Sequence, residues 1–335
     1  MYREAAQAPE AVREQLQANA ARVSQLAQRL RHSPPRAVVT CARGSSDHAA
    51  TFARYLIETR LGLLTSSAPP SVSSVYAARP DLSGALMLAI SQSGASPDLL
   101  AAVSSARAAG ARIVALVNTQ DSPLAQLADD LLPLHAGVER SVAATKSYIA
   151  SLAAIVHLVA LWSDDAPLAA ALQQAPELLT RAWQLDWSAA VAQLTGAHNL
   201  YVIGRGLGLG VAQEAALKLK ETCALHAEAV SAAELRHGPM ALVRVGFPLL
   251  MFAQNDESRA GVTQLAGELA VQGAAVLLAG ASAPPATQLP TESAHPVIEP
   301  LLFAQSFYRM ASALALARGV DPDRPPHLHK VTETV

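Results

Sequence analysis

Glu214, Lys218 and Glu221, in the stretch QEAALKLKE, are spaced so that a helix through them carries carboxylate, amine and carboxylate on one face. On a solvated helix this is an ordinary run of ion pairs; in a segment so rich in Ala and Leu it predicts a buried face. A buried carboxylate beside an amine can have its proton affinity tuned for proton transfer. A second cluster lies in AISQSGASPDLL, where Ser91, Gln92, Ser93 and Ser96 crowd the turn between an apolar run and a helix. Ser96 suits the N-cap, Pro97 the first helical position and Asp98 the first turn. Hydroxyls, an amide and the unsatisfied N–H groups of a helix start together build a phosphomonoester site that needs no Lys or Arg. Gly44-Ser45-Ser46, after an earlier apolar run, is placed to complete that site at the carboxyl edge of a sheet.

The glycine run Gly204-Arg205-Gly206-Leu207-Gly208-Leu209-Gly210 invites a dinucleotide reading, which fails on two counts. Leu209 occupies the third fingerprint position, and no acidic residue at a strand end follows about 20 residues on. No dinucleotide or other cofactor is expected. Lysine is scarce: Lys146, Lys218, Lys220 and Lys330 are the only four among 25 basic residues. Where arginine serves almost everywhere, a retained lysine marks a place for a compact, titratable amine or is simply chance. His237, ahead of Gly238-Pro239, is by spacing alone a packed or surface residue. His327 and His329 flank Lys330 without a third ligand at a recognisable spacing, so no metal is expected.

These residues need a scaffold, and the chain describes one. Its 335 residues suit two lobes of about 150 residues each. Hydrophobic residues make up 51 % and aromatics only 4 %, so the core must come from Ala, Leu and Val, as in helices packed closely on a sheet. A net charge of −2 without basic runs excludes nucleic acid and acidic membrane surfaces as natural partners. Cys41 and Cys223, far apart in sequence, argue for a reducing compartment. The opening residues lack the apolar core of a signal peptide and no apolar run reaches about 18 residues, so the expectation is cytoplasmic, with no membrane contact.

Short apolar strands alternate with helices, the signature of a parallel sheet covered on both faces. The first strand is expected at Ala37 to Cys41. The pattern then occurs twice. RAVVTCARGSSDHAATFARYLIE matches HNLYVIGRGLGLGVAQEAALKLKE, with Arg43 opposite Arg205, 162 positions apart. LMLAISQSG matches LLMFAQND at the same offset, Gln92 opposite Gln254. VERSVAATKSYIA matches IEPLLFAQSFYRM with an offset of 160, pairing Glu139 with Glu299 and Tyr148 with Tyr308. The expected organisation is an N-terminal helical segment (1–35), an α/β unit (36–165), a helical linker (166–196), a second α/β unit (197–320) and a tail (321–335). The second copy has lost the hydroxyls of the first, SQSG becoming AQND and GSS becoming GLG, so the copies have taken unequal roles.

With this duplication and with SQSGAS, ERSVAATKSY, EAALKLKETCALHAEAVSAAELRHGP and HLHKVTET, the chain resembles the sugar isomerase (SIS) family over nearly its whole length. It is similar in plan to the isomerase half of glutamine:fructose-6-phosphate amidotransferases and to stand-alone glucosamine-6-phosphate deaminases. The resemblance implies two tandem flavodoxin-like SIS subdomains, each a three-layer αβα parallel sheet. It implies sugar-phosphate contacts from Ser45, Ser46, Ser91, Gln92, Ser93, Ser96, Val142 and Ala144. It makes Glu221 the base that carries a proton between sugar carbons, Lys218 its charge partner, His237 the ring-opening group and Lys330 an amine over the open-chain carbonyl. Glu214 is left structural. The family's histidine comes from a neighbouring subunit, which implies a homodimer with shared sites. Met1 stands at the start of the isomerase module with no cysteine near it, so the expected activity is deamination of glucosamine 6-phosphate to fructose 6-phosphate and ammonia, or its reverse with free ammonia, rather than glutamine-dependent synthesis. Ala144, where the synthases carry serine, and ARGSS in place of CGTS leave galactosamine 6-phosphate and fructosamine 6-phosphate adducts as alternative substrates. A non-catalytic sugar-phosphate sensor is the alternative of another class; it would have no use for Glu221, His237 and Lys330 together.

Overall fold

Runs of Val, Ile, Leu and Ala too short for helices and too apolar for a solvated face become parallel strands covered on both sides. In the computed structural model, which describes residues 1–78, 80–328 and 330, ten such strands form two five-stranded sheets. The first holds β1 (Ala37–Cys41), β2 (Thr65–Ser67), β3 (Ala85–Ser91), β4 (Arg112–Val117) and β5 (Asp130–Pro133), in the spatial order β2-β1-β3-β4-β5. The second holds β6 (Asn199–Gly204), β7 (His226–Ser231), β8 (Pro248–Phe252), β9 (Ala275–Ala279) and β10 (Thr287–Leu289), in the order β10-β9-β8-β6-β7. Read by position within each half, both orders are 2-1-3-4-5, and every recorded pairing is parallel. The repeat seen in the sequence is therefore a repeat of topology. This is the doubly wound, flavodoxin-like order, which reverses between its first and third strands and so opens a crevice at their carboxyl ends.

By packing, the chain divides into two units that interleave in sequence. The unit of the first sheet comprises Glu10–Arg140 and Lys146–Gln173, with Leu328 and Lys330; the unit of the second comprises Met1–Pro9, Ser141–Thr145 and Gln174–His327. In the first, the long helix Ala8–His32 is held by buried amides: Gln15 Nε2 donates to the carbonyls of Leu134 and Ala150, and Asn19 Nδ2 donates to that of Pro133. The cores are built from small aliphatics, as composition requires; one gathers Met87, Val103, Ile113 and Val117, the other Ile203, Leu249, Leu265 and Val276. Among the described residues no helix is long and apolar enough to cross a membrane.

The third repeated block differs between the copies in a way that matters below. In the second copy the helix Glu299–Ala317 begins at Glu299 itself; in the first, the helix begins only at Lys146, and Glu139–Thr145 is non-helical. On that first-copy helix, Lys146–Trp162, His157 is buried, and burial pulls its pKa from 6.5 down to about 4. The folded pKa is depressed, so the stability tied to a neutral His157 is complete above pH 6.5 and is lost as pH falls toward 4. About 3 kcal/mol rides on that window at about 1.4 kcal/mol per pH unit. His157→Leu is expected to flatten the decline in urea midpoint between pH 7.5 and 4.5; an unchanged slope would assign the acid sensitivity elsewhere.

Candidate active site

β1 and β3 pair in parallel, so the loops that follow them leave the same edge of the first sheet side by side. After β1 comes Gly44, with a left-handed φ of +55°, and then Ser45 and Ser46, which open the helix Ser45–Leu61. After β3 come Ser91, Gln92, Ser93 and Ser96, ahead of the helix Pro97–Ala108. Arg43 Nε and Nη2 both donate to Asp98 Oδ2, at 2.8 and 2.7 Å, tying the first loop to the opening turn of the second helix. Ser91 Oγ accepts the Gly94 N–H at 2.9 Å and shapes the turn. Ser96 stands at the N-cap with Pro97 behind it, as its sequence predicts, but its hydroxyl makes no capping bond. The side chains of Ser46, Gln92 and Ser96 form no hydrogen bond among the described residues. These unspent donors flank the reversal point of the strand order, where doubly wound sheets take their ligands. A cavity of about 630 Å³ at Ala85, Leu86 and Arg112 lies at the opposite, amino ends of β3 and β4 and is a separate feature.

The carboxylate helix, Gly208–Cys223, buries the face read from its spacing. Glu214 and Lys218 are each 1 % exposed, and Glu221 is half-buried. Lys218 Nζ lies 2.5 Å from Glu221 Oε2 and 3.4 Å from Glu214 Oε1, so one amine bridges both carboxylates. Burial opposes its charge, yet Glu214 and Glu221 outweigh it and hold the Lys218 pKa above its ordinary value. Tyr308 Oη donates to Glu214 Oε1 at 2.8 Å and anchors the far end of the array. Glu214 is therefore the buried counter-ion that keeps Lys218 cationic beside Glu221, a larger part than sequence alone suggested.

The glycine run shapes this helix. A Cβ on Gly204 would stand 2.3 Å from the Gly208 carbonyl oxygen, and one on Gly208 would stand 2.4 Å from Gln254 Oε1. The glycines let the helix begin hard against β6 and the loop after β8, as helix-to-sheet packing requires. His237 closes the short helix Glu234–His237 after β7, is exposed, and forms no hydrogen bond or ion pair among the described residues. Val142 and Ala144 lie half-buried in the non-helical segment that packs with the second-sheet unit.

In the first-sheet unit, Lys330 Nζ lies 3.7 Å from Glu139 Oε2, and Glu139 is buried. Ser147 fixes that carboxylate with its hydroxyl at 2.6 Å and its N–H at 3.3 Å. His329 lies outside the described residues. Among those described, no group of His, Cys, Asp and Glu is arranged to hold a metal ion. Burial pushes the thiol of Cys41 up to about 12 and that of Cys223 up to about 11, so neither supplies a thiolate nucleophile. Of the four lysines, Lys146 and Lys218 are buried, Lys330 meets a buried carboxylate and Lys220 is exposed.

Glu139 and Tyr308 are the residues whose parts went unread in the sequence. Both were visible only as positions identical in the two copies; recurrence of a buried polar side chain through a duplication was the available signal.

Two doubly wound sheets in tandem, with a serine-rich turn at the reversal point of one and a largely buried Glu-Lys-Glu face beside the other, define a duplicated, flavodoxin-like α/β protein. The chain belongs to the SIS-domain family, whose model matches residues 33–161 and 193–284. It is 36 % identical over 308 residues to glutamine--fructose-6-phosphate aminotransferase [isomerizing] of Aeropyrum pernix, covering 86 % of this chain and 49 % of that protein. The chain thus spans about half the length of the curated relatives it matches. Among solved structures, a candidate phosphosugar isomerase from Silicibacter pomeroyi is 44 % identical with a TM-score of 0.92, covering 96 % of this chain and 99 % of that one. The C-terminal domain of glucosamine-fructose-6-phosphate aminotransferase from Francisella tularensis is 26 % identical with a TM-score of 0.88, covering 97 % and 98 %.

Proposed function

We propose that this chain interconverts glucosamine 6-phosphate and fructose 6-phosphate plus ammonia, as an amino-sugar-phosphate deaminase and isomerase. The observation that carries the reading is the Lys218 amine held between Glu214 and Glu221 on a buried helix face. Such a face sets a carboxylate beside a fixed cation, the arrangement a base that removes a proton from carbon requires. The relatives named for isomerising aminotransfer share the span in which this face lies.

In this reading the serine turn takes the phosphate through Ser45, Ser46, Ser91, Gln92, Ser93 and Ser96 and the N–H groups of its helix, and Val142 and Ala144 line the sugar. His237, supplied by a neighbouring copy in a homodimer, moves a proton from the anomeric hydroxyl to the ring oxygen and opens the pyranose. Its exposure on a short turn, without a partner among the described residues, supports that assignment. Glu221 then removes the proton at C2, giving an enolamine, and returns it to C1. The resulting C2 imine adds water and expels ammonia, leaving the ketose phosphate. Lys330, paired with the buried Glu139 carboxylate, is the amine that reaches the open-chain carbonyl.

Incubation of the pure protein with glucosamine 6-phosphate, assayed for ammonia and fructose 6-phosphate, tests the proposal. Galactosamine 6-phosphate belongs in a parallel arm, because Ala144 and the Gly44-Ser45-Ser46 turn depart from the synthase pattern. Absence of product from both sugars would sink the deaminase reading. Ser93→Ala is expected to raise KM for the sugar phosphate about tenfold, in line with the loss of one charge-assisted hydrogen bond, while Asn255→Ala at the matching place in the second copy leaves KM unchanged.

A further inference from the structure

Arg43 leads into the Gly44-Ser45-Ser46 turn, and Arg205 stands at the matching place of the second copy, 162 positions on. The two arginines are used differently. Arg205 is exposed, and its side chain forms no hydrogen bond or ion pair among the described residues. Arg43 is pinned: its Nε and Nη2 both meet Asp98 Oδ2, at 2.8 and 2.7 Å, and the Asp98 side chain is 1 % exposed. At the offset of 162 the counterpart of Asp98 is Ala260, which has no carboxylate to offer. The copy that keeps the hydroxyls therefore also keeps an acid that holds the arginine beside them.

The pinned geometry leaves a working face. Nε and Nη2 form the side edge of a guanidinium; the end-on fork, to which Nη1 belongs, is a second edge that matches a phosphate bidentately. Nη1 has no partner among the described residues, and the Arg43 side chain is 52 % exposed. Charge balance gives that fork a task. Asp47 and Asp98 stand in the first turns of the two helices that follow β1 and β3, where they suit the helix dipoles but repel an arriving phosphate. Arg43 acts on both: it bonds Asp98 directly, and burial raises the Asp47 pKa against the charges of His48 and Arg43. A long side chain fixed on a buried carboxylate before the ligand arrives also spares binding much of its ordering entropy.

We propose that Arg43 is a phosphate-binding residue of the serine-turn site, with Asp98 the positioning residue that presents its end-on fork. The inference rests on the proposed phosphate role of that turn and adds a cation to its hydroxyls.

Dissociation constants for inorganic phosphate, by calorimetry, and KM and kcat with glucosamine 6-phosphate test it. Arg43→Met alone strands the buried Asp98 charge, so the deciding variant is Arg43→Met with Asp98→Asn, which removes both charges and leaves the net charge of the loop unchanged. It is expected to weaken phosphate binding about 10- to 100-fold, as the loss of a charge-assisted contact does, and to raise KM by a similar factor with kcat within about threefold. Arg43→Lys keeps a cation beside Asp98 without a fork; it is expected to lose about tenfold and serves should the double variant fail to fold. Removal of a carboxylate would by charge alone tighten phosphate binding; Asp98→Asn is expected instead to weaken it about threefold, because the fork is released. Arg205→Met is expected to leave phosphate binding unchanged. Folded Arg43 variants that bind phosphate within about twofold of wild type overturn the inference, and tighter binding in Asp98→Asn overturns the positioning role of Asp98. Normal phosphate binding in Ser93→Ala, with weakened binding in the Arg43 variants, overturns the serine-turn reading instead and upholds Arg43.

Discussion

Glu221→Gln is expected to lower the rate of ammonia release from glucosamine 6-phosphate by about 10²–10⁴-fold, the range that a positioned general base contributes. The substitution keeps the shape of the side chain and its hydrogen bond with Lys218 Nζ but removes the charge proposed to accept the proton from carbon. KM is expected to stay within about threefold, because the serine turn proposed to take the phosphate is untouched. The variant should also stop solvent deuterium from entering C1 or C2 of recovered sugar, a readout that a merely looser site would not abolish. Stability should change little, since Glu221 remains partly in contact with solvent. Retention of more than a tenth of the wild-type rate would move the base elsewhere.

Lys218→Met is expected to be among the most destabilising substitutions in the chain, at about 3–5 kcal/mol, the usual cost of removing one member of a buried ion pair. Glu214 has 1 % exposure, so without the ammonium it must either stay charged without a compensating cation or take up a proton. Tyr308 supplies it with one hydrogen bond, which does not replace a charge. The measurement is the urea midpoint of the transition reported by amides of the helix Gly208–Cys223. Adding Glu214→Gln to Lys218→Met should recover more than half of the loss, because the orphaned charge is then gone. If Lys218→Met unfolds at the wild-type midpoint, the array is not the buried unit described here.

Both predictions act on a helix whose chemistry was readable before its surroundings were known. The i, i+4, i+7 spacing of Glu214, Lys218 and Glu221 follows from helical geometry, and the Ala- and Leu-rich background announced burial. β1 falls at Ala37–Cys41, where its apolar run predicts it, and the helix after the serine turn starts at Pro97, where the proline and the capping serine predict it. Turn and cap chemistry are local, so they can be read locally.

Three features were not local. Ser96 occupies the cap position without capping, because whether a hydroxyl bends back to its own backbone depends on the tertiary setting of the turn. The first-copy helix does not begin at Glu139 although its second-copy counterpart begins at Glu299; one repeat supports two conformations, and packing selects between them. Glu139 thereby meets Ser147 nearby and Lys330 from the far end of the chain.

What the sequence determined by itself was the periodicity of the elements, the duplication and the residue types on each face, since these follow from steric and hydrophobic rules acting over a few residues. Only the tertiary structure decided which carboxylates meet which donors. Tyr308 on Glu214 and Glu139 on Lys330 are encounters between distant segments, and no spacing along the chain encodes them. A hydrogen bond requires an approach of about 3 Å, set only when the sheets and their helices have packed.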